Sequence, residues 1–517
     1  MSQTAQPLSR RQVLAAFSAM MLATVLAALD QTVVATALPQ IVTDLKGFAE
    51  LSWVITAYLV AATVTVPLYG KLSDIYGRRR MFVVSISIFL LGSALCGAAQ
   101  DMGQLVAFRA VQGIGAGGLL PLAQAAIADL FSPRERGRYQ GYIASMWATA
   151  AVAGPLLGGT LTDAASWRWI FFVNLPLGAV ALLVVLRTMR PPARVTPHRI
   201  DYAGAAILSV AITALLLACT WGGTTYAWSS PQVLMTGLGS LVLIALFLWV
   251  EQRVEEPLLP LSLFRMRIFA VSAVGGLVVG AVLFAVSIYV PVFSQGVQGI
   301  SATGSGVVLI PFSLGWVAAA TLTGQLISRT GRYRPFPIVG GTLILAGLGL
   351  LALVDAGSSP TAVGAILAGT GFGMGLTFQP YVIATQNAVA TANLGIATAT
   401  IQFFRSMGGS LAVAALGTLL ANRLSAGLAD RLGAAAGRVD TDRLLEGATS
   451  VPPALQSATQ AALGDALHAV FVATVPLGVL AIALAFMLDE IPLRTQRTHE
   501  PRTGDEPRTD RPERQPA

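Results

Sequence analysis

Lysine is nearly missing from this chain. Of its 33 basic residues only Lys46 and Lys71 are lysines, and neither is followed by Ser or Thr. A Walker A phosphate loop, which ends in Lys-Ser or Lys-Thr, is therefore excluded. Uphill work by this protein must draw on an ion gradient or a partner rather than on ATP held in such a loop. Charge of either sign is also scarce, at 11% of residues. Soluble domains carry about 25%, so most of this chain is expected in lipid or in a protein interior. The two cysteines, Cys96 and Cys219, lie inside apolar runs and read as small core hydrophobes, which leaves no disulfide framework. The three histidines, His198, His468 and His499, are far apart in sequence. No metal cluster, no cofactor and no catalytic Ser/His or His/Asp set is expected, so the chain does not read as an enzyme.

What is present is apolar length. The 517 residues are 55% hydrophobic with a mean hydropathy of +0.69. Fourteen segments have roughly the 20 residues that a bilayer core demands. They run over 13–37, 52–70, 81–99, 105–128, 139–162, 168–187, 201–220, 232–250, 269–293, 303–327, 335–354, 361–384, 400–421 and 468–488. With the N-terminus inside, 25 basic residues fall in inner segments and 6 in outer ones. That asymmetry follows the positive-inside rule, so both termini are expected in the cytosol and the protein in the cytoplasmic membrane. The same clustering in short turns argues against a nucleic-acid partner. Ser9-Arg10-Arg11 before an apolar run resembles a twin-arginine signal, but the run is long, contains Asp30 and leads into further spans.

An internal repeat organises these spans. Gly70–Arg80, GKLSDIYGRRR, returns as GQLISRTGRYR at Gly324–Arg334, each copy between two apolar segments. Two homologous membrane halves are the architecture of secondary transporters. The repeat pairs the first six spans with the last six and leaves two between them. The expected division is a cytosolic N-terminus over 1–12, a six-helix bundle over 13–187, a linker with two inserted helices over 188–267, a second six-helix bundle over 268–490 and a disordered cytosolic tail over 491–517. The outer segment 422–467, rich in Ala with interspersed charge, is expected to form a short helical hairpin.

Asp30 is the only acid deep inside a span. A buried carboxylate is expensive, so an intramembrane acid is a functional candidate by default. A carboxyl that alternates between neutral and charged is what proton coupling needs, and a charged one would also attract a cation. Thr32 and Thr36 follow on the same segment as groups able to bond it. Arg109 opens the fourth span's RAVQGIGAGGLLP. It stays protonated, so it can tune a carboxyl without shuttling a proton itself; the alternative is snorkelling to the outer interface. Arg405, near the inner end of its span, is a further charge partner or snorkels likewise. Gly113-x-Gly115-x-x-Gly118 matches the dinucleotide fingerprint in letters only, because it lies in an apolar span and follows no strand; close helix packing explains it better. In the fifth span Gly154, Pro155, Gly158 and Gly159 combine a GxxxG face with a helix-bending proline, suited to a gate, a proton-tight seal or plain packing. In the repeated turn, Gly70 and Gly77 permit a tight bend, and Asp74 among the cations Lys71, Arg78 and Arg79 is placed to cap a helix or pair with Arg78. Topology alone explains neither Asp74 nor the glycine spacing, so this turn is a gate candidate. Trp53, Tyr58, Gln112, Tyr289, Phe378, Gln379 and Tyr381, with Thr32, are candidates for a substrate cavity.

These residues together resemble a known family. Gly70–Arg80 resembles the signature loop of the major facilitator superfamily, and Arg109-x-x-Gln112-Gly113 its fourth-helix motif. Gly154-Pro155-x-x-Gly158-Gly159 is similar to the fifth-helix motif associated with antiporters. Leu29-Asp30-Gln31-Thr32-Val33-Val34 with Ala37-Leu38-Pro39, and Trp167-Arg168-Trp169-Ile170-Phe171 with Asn174 and Pro176, resemble the fourteen-helix drug/proton antiporters of the EmrB/QacA type. The resemblance covers about residues 12–490. It implies an all-α polytopic membrane protein with the major facilitator fold, fourteen transmembrane helices arranged 6 + 2 + 6 and two pseudo-symmetric halves. It implies multidrug efflux of lipophilic, often cationic compounds driven by a proton gradient. Asp30 would be the proton- or substrate-linked carboxylate, Arg109 would assist the relay, and Asp74 would hold the cytosolic gate against the N-terminal end of the thirteenth span. The second loop departs from the pattern with Gln325 for Lys71 and Ser328 for Asp74, and the second half offers no deep acid, which favours monovalent or neutral cargo. The expected partners are a small-molecule substrate and the bilayer, with the protein a monomer. The alternatives are an exporter of one endogenous lipid, antibiotic or siderophore and, outside transport, a membrane sensor or scaffold.

Overall fold

A computed structural model describes residues 10–45, 51–189, 201–222, 226–255, 257–433 and 453–493, and they form helices with no strand among them. In chain order these are α1 (Arg10–Leu45), α2 (Leu51–Tyr76), α3 (Arg78–Ala98), α4 (Met102–Leu130), α5 (Pro133–Ala164), the short α6 (Trp169–Phe172), α7 (Asn174–Thr188), α8 (Tyr202–Trp221), α9 (Pro231–Glu251), α10 (Arg267–Gly296), α11 (Ala302–Thr330), α12 (Pro335–Leu351), α13 (Pro360–Ala388), α14 (Leu394–Leu432) and α15 (Pro453–Met487). Polar side chains cap several starts. Asp101 accepts the Gln104 N–H at 2.8 Å to begin α4, and Ser132 with Glu135 forms a capping box on α5. The two repeated turns each break at the shared glycine: Gly77 has φ 86° between α2 and α3, and Gly331 has φ 73° after α11. Only a residue without Cβ takes that backbone freely.

Twelve stretches of the described helices, with α6 and α7 taken together as Trp169–Thr188, are long and apolar enough to cross a membrane. The fourteen spans expected from hydropathy exceed this number by two. Pro335–Leu351 has only 17 residues, and Pro133–Ala164 is long but rich in Gly, Ala, Ser and Thr, with Arg134, Glu135, Arg136 and Arg138 in its first turns. Its small residues suit its place between α1 and α11, against both of which it packs.

The helices gather into two groups. In the first, α1 packs on α5 and α7, and α4 on α2 and α3; in the second, α10 packs on α14, α13 on α11 and α12, and α15 on α12 and α14. The groups meet along α5 with α11 and α2 with α14. The pair α8 and α9 lies at one seam, where Leu208, Leu216 and Phe247 join Val66 of α2 and Ala399 and Phe403 of α14 in one apolar cluster. The free face of α9 exposes Leu234, Met235, Leu238, Leu241, Val242 and Trp249, as a lipid-facing helix would.

The expected hairpin over 422–467 is built differently. α14 runs 39 residues to Leu432 and α15 begins at Pro453, so the legs continue the two long helices. Leu424, Leu428, Ala462 and Ala466 are buried between them, and Arg431 reaches Asp465 at 2.5 Å. Residues 434–452 lie outside the described part, as do most of the linker 188–200 and the segments 1–9 and 494–517.

Candidate functional site

Three polar constructions interrupt the apolar interior. The first surrounds Asp30, midway along α1. Its Oδ2 lies 2.7 Å from Arg109 Nη1, and its Oδ1 accepts from Gln112 Nε2 at 2.8 Å and from Asn174 Nδ2 at 3.1 Å. Arg109 and Gln112 stand three residues apart on one face of α4, which lets the same Nη1 also donate to Gln112 Oε1 at 2.8 Å. The guanidinium donates through Nε to the Val54 carbonyl at 3.3 Å and lies 4.1 Å from the Tyr58 ring centroid. Asn174, the first residue of α7, passes the network on to Ser93 Oγ at 3.0 Å. Asp30 and Arg109 are 1% and 2% exposed, so Arg109 is a buried ion-pair partner rather than a snorkelling arginine. Removing one member of such a pair costs about 3–5 kcal/mol, because the other charge stays buried and unpaired. The glycines that follow make the approach of the helices feasible. A Cβ on Gly113 would strike the Tyr58 carbonyl of α2, and one on Gly115 would strike the Phe89 backbone of α3. The dinucleotide-like spacing is therefore a packing surface.

The second construction is a cavity of about 330 Å³ between the helix groups. The first group contributes Gln31, Thr32, Leu120, Gln124 and Ile143. The second contributes Ser287 and Phe284 of α10, Phe312, Ser313 and Trp316 of α11, Phe378 and Gln379 of α13, and Gln402 and Arg405 of α14, among others. Asp30 does not line it, but the next two residues do. Thr32 Oγ1 bonds the Ala150 carbonyl of α5 at 3.1 Å, and Gly154 presses directly on Thr32. The GxxxG face is thus, at Gly154, a packing contact of α5 with α1 inside one half; across the halves it is Gly141 that faces Thr321 of α11. On the opposite wall Arg405 Nε donates to Gln402 Oε1 at 2.8 Å, and Gln402 Nε2 donates to Gln124 Oε1 at 2.9 Å. Arg405 Cζ lies 5.4 Å from the Phe378 ring centroid.

The third construction joins the groups at the end that carries the arginine-rich turn. Asp74 accepts the backbone N–H groups of Gly395 at 3.0 Å and Ile396 at 2.9 Å, at the N-terminus of α14. A carboxylate there meets unpaired donors and the positive end of the helix dipole. Arg78 clamps it, with Nη2 at 2.6 Å from Asp74 Oδ1 and Nε at 2.8 Å from Asp129 Oδ2. Arg78 also bonds Ser73 Oγ. Gly70 and Gly395 sit against each other, and a Cβ on Gly395 would run into Arg78, Asp74 and the Gly70 carbonyl. Arg136 of α5 adds a second tie, from Nη1 to the Gln386 carbonyl of α13 at 3.2 Å, and Gln386 Nε2 donates to the Gln124 carbonyl at 3.3 Å.

The sequence-based candidates divide accordingly. Asp30, Arg109, Gln112 and Tyr58 come together, although Gln112 and Tyr58 were expected in the cavity. Thr32, Phe378, Gln379 and Arg405 line the cavity. Trp53 instead packs on Trp221 of α8 with centroids 6.1 Å apart, Tyr289 donates to the Val413 carbonyl at 2.9 Å, and Tyr381 is fully buried against Gly275. Gly70, Asp74 and Arg78 form the tie between groups, and Gly77 makes the turn after α2. Arg79 does not join it; its Nη2 donates to the Leu186 carbonyl at 2.7 Å and holds α3 to α7. Lys71 is half-buried on α2, and Gly158 is buried on α5. The side chains at Thr36, Pro155 and Gly159 lie outside the described part. Sequence reasoning missed Asp129, Asn174 as a donor to Asp30, and the Gln124–Gln402 pair. No signal in the sequence marks which glutamines in apolar helices turn inward.

Comparison with known proteins bears on the family and the fold. The sequence profile of the Major Facilitator Superfamily matches residues 20–413. A Bacillus subtilis protein named multidrug transporter protein MdtP is 37% identical over 426 residues, covering 82% of this chain and 78% of its own. Multidrug resistance protein 3 of the same organism is 34% identical over 480 residues, covering 90% of this chain and 94% of its own. Among solved structures, the proton:xylose symporter XylE superposes with a TM-score of 0.60 at 12% identity, over 92% of this chain and 95% of that one, which speaks to the fold alone.

Proposed function

The chain belongs to the major facilitator superfamily and is a multi-pass membrane transporter rather than an enzyme, and from that premise we propose that it is a proton-coupled antiporter exporting lipophilic small molecules, a multidrug efflux pump. The observation that carries this reading is the position of Asp30. Its carboxylate is held by Arg109, Gln112 and Asn174, while Gln31 and Thr32, next along α1, face the cavity. Protonating Asp30 cancels its attraction for Arg109 and loosens the tie between α1, α4 and α7. Any shift of α1 moves Gln31 and Thr32 and so alters the cargo wall. Proton occupancy and cargo occupancy then compete through one helix, which is the requirement for exchange. The names of the Bacillus relatives support drug-like cargo.

In this reading the arginine-rich end is cytosolic, both termini lie there, and α5 and α12 complete fourteen spans as 6 + 2 + 6. The Asp74 latch is the cytosolic gate, closed in the arrangement described, and the pump works as a monomer in the cytoplasmic membrane. Export of drug or dye from a pump-deficient host tests the reading, comparing wild type with Asp30→Asn. Loss of uphill export in the variant, with binding retained, is expected. Wild-type export by Asp30→Asn would remove the coupling assignment.

A further inference from the structure

Among the described residues, the charge of the cavity has one source. Arg405 is the only ionised side chain among its described lining residues, and no carboxylate of the described part stands within ion-pair distance of it. The acid that would balance it, Asp30, is spent on Arg109 in the first helix group. Arg405 is not a surface arginine reaching out to water. Its Nε is fixed by Gln402, its Cζ lies over the Phe378 ring, and a Cβ on Gly280 of α10 would strike its backbone carbonyl, so α14 packs closely on α10 at this point. Both terminal amino groups make no hydrogen bond to described residues. They belong to a half-buried side chain and are left toward the cavity. A guanidinium keeps its charge at any working pH, and its paired N–H groups match the two oxygens of a carboxylate. Around it stand Phe284, Phe312, Trp316 and Phe378, which suit an aromatic body, and glutamines that suit its polar edges.

We propose that this cavity selects an amphiphilic organic anion, an aromatic body bearing a carboxylate or a similar planar oxyanion, with Arg405 as the residue that receives the anionic group. The proposal rests on the cavity being the cargo site of the exporter described above. It replaces the cationic preference that a lone membrane carboxylate suggests. A cation placed here would meet Arg405 with no counter-charge, and an uncompensated like charge in a low-dielectric site is strongly disfavoured.

The test uses the full-length protein in lipid nanodiscs and three probes of one shape. These are 2-naphthylacetate, 2-naphthaleneethanol and 2-naphthylmethyltrimethylammonium, titrated by calorimetry. Wild type is expected to bind the carboxylate at least tenfold more tightly than the alcohol or the ammonium. Arg405→Gln should bring the carboxylate down to the level of the alcohol while leaving the alcohol unchanged, and Arg405→Lys should keep part of the preference. Equal binding of all three by wild type, a preference for the ammonium, or an intact carboxylate preference in Arg405→Gln would each overturn the proposal. If Arg405→Gln does not fold, the wild-type ranking and the lysine variant decide. Uptake of the same probes into inverted vesicles under a proton gradient separates this proposal from the export reading. A preference in binding without uphill movement would sink the exporter and leave the anion site, whereas uphill movement without preference would do the reverse.

Discussion

Asp30 and Arg109 form an ion pair with 2.7 Å between Oδ2 and Nη1, and neither residue lines the central cavity. The proton-accepting group of the proposed cycle therefore stands off the cavity wall, next to the lining residues Gln31 and Thr32. Communication between them is mechanical, through α1, rather than by direct contact of cargo with carboxylate. Drug and proton need not share a chemical class of ligand group for such a pump to exchange them.

The pair makes a stability prediction. Arg109→Gln leaves a carboxylate buried beside only amide donors and should lower stability by about 3–5 kcal/mol. Asp30→Asn leaves the guanidinium with Gln112, the Val54 carbonyl and the Tyr58 ring as partners, and should cost less. The double variant should recover part of the Arg109→Gln loss, since no net charge remains buried. Thermal unfolding of the four proteins in detergent checks this; additive losses in the double variant would show that the two residues are not coupled.

The latch makes a conformational prediction. Asp74→Asn keeps the shape of the side chain but loses its charge toward Arg78 and the α14 N-terminus. A charge-assisted bond of this kind is worth about 2 kcal/mol, roughly a 30-fold change in population. Spin labels at Arg80 and Thr391, both exposed at the latched end, should then report a longer distance in a larger share of molecules. Cys96 and Cys219 would first be replaced by serine. An unchanged distance distribution would remove Asp74 from gating.

Much of this was legible in the sequence, and the reasons differ by feature. One side of the latch was readable because its parts are local: the glycine that must take positive φ, the acid and the arginine all fall within Gly70–Arg80, whereas Asp129 lies far along α4. Asp30 and Arg109 were readable because charge in an apolar segment is rare. The cavity was not. Helices such as α10 and α13 are apolar on all sides, so no periodicity marks the inward face, and Tyr289, Tyr381 and Phe378 look alike as candidates. Only packing sends Phe378 to the cavity and Tyr381 to Gly275. Two of the fourteen expected spans do not stand out for a related reason, since the short α12 and the polar-rich α5 lack the apolar length of a typical span.

Gly395 offers a test of the latch that leaves every charge in place. A Cβ at this position meets Asp74 Oδ1 at 2.5 Å and the Gly70 carbonyl at 2.6 Å, so Gly395→Ala prevents α14 from seating on α2. The variant should reproduce the open distance distribution of Asp74→Asn and reduce export at least tenfold, while its thermal stability falls by no more than the roughly 1–3 kcal/mol typical of overpacking. Export at the wild-type rate with a closed distance distribution would mean that the helices accommodate the methyl group, and close approach at Gly70 would then be dispensable.

An anionic cargo changes the electrical balance of the proposed exchange. One proton moving in and one monoanion moving out carry two charges in the same electrical sense, whereas a neutral cargo gives one and a monovalent cation none. An interior-negative potential supplies about 2.3 kcal/mol per charge per 100 mV. Naphthylacetate export in proteoliposomes should therefore respond to a potassium diffusion potential set with valinomycin even when the pH is equal on both sides. The potential needed to offset a given anion gradient should correspond to two charges per cycle. The trimethylammonium probe should move more slowly than the anion, and a cation moved faster than the anion at matched driving force would count against Arg405 as the cargo's counter-charge.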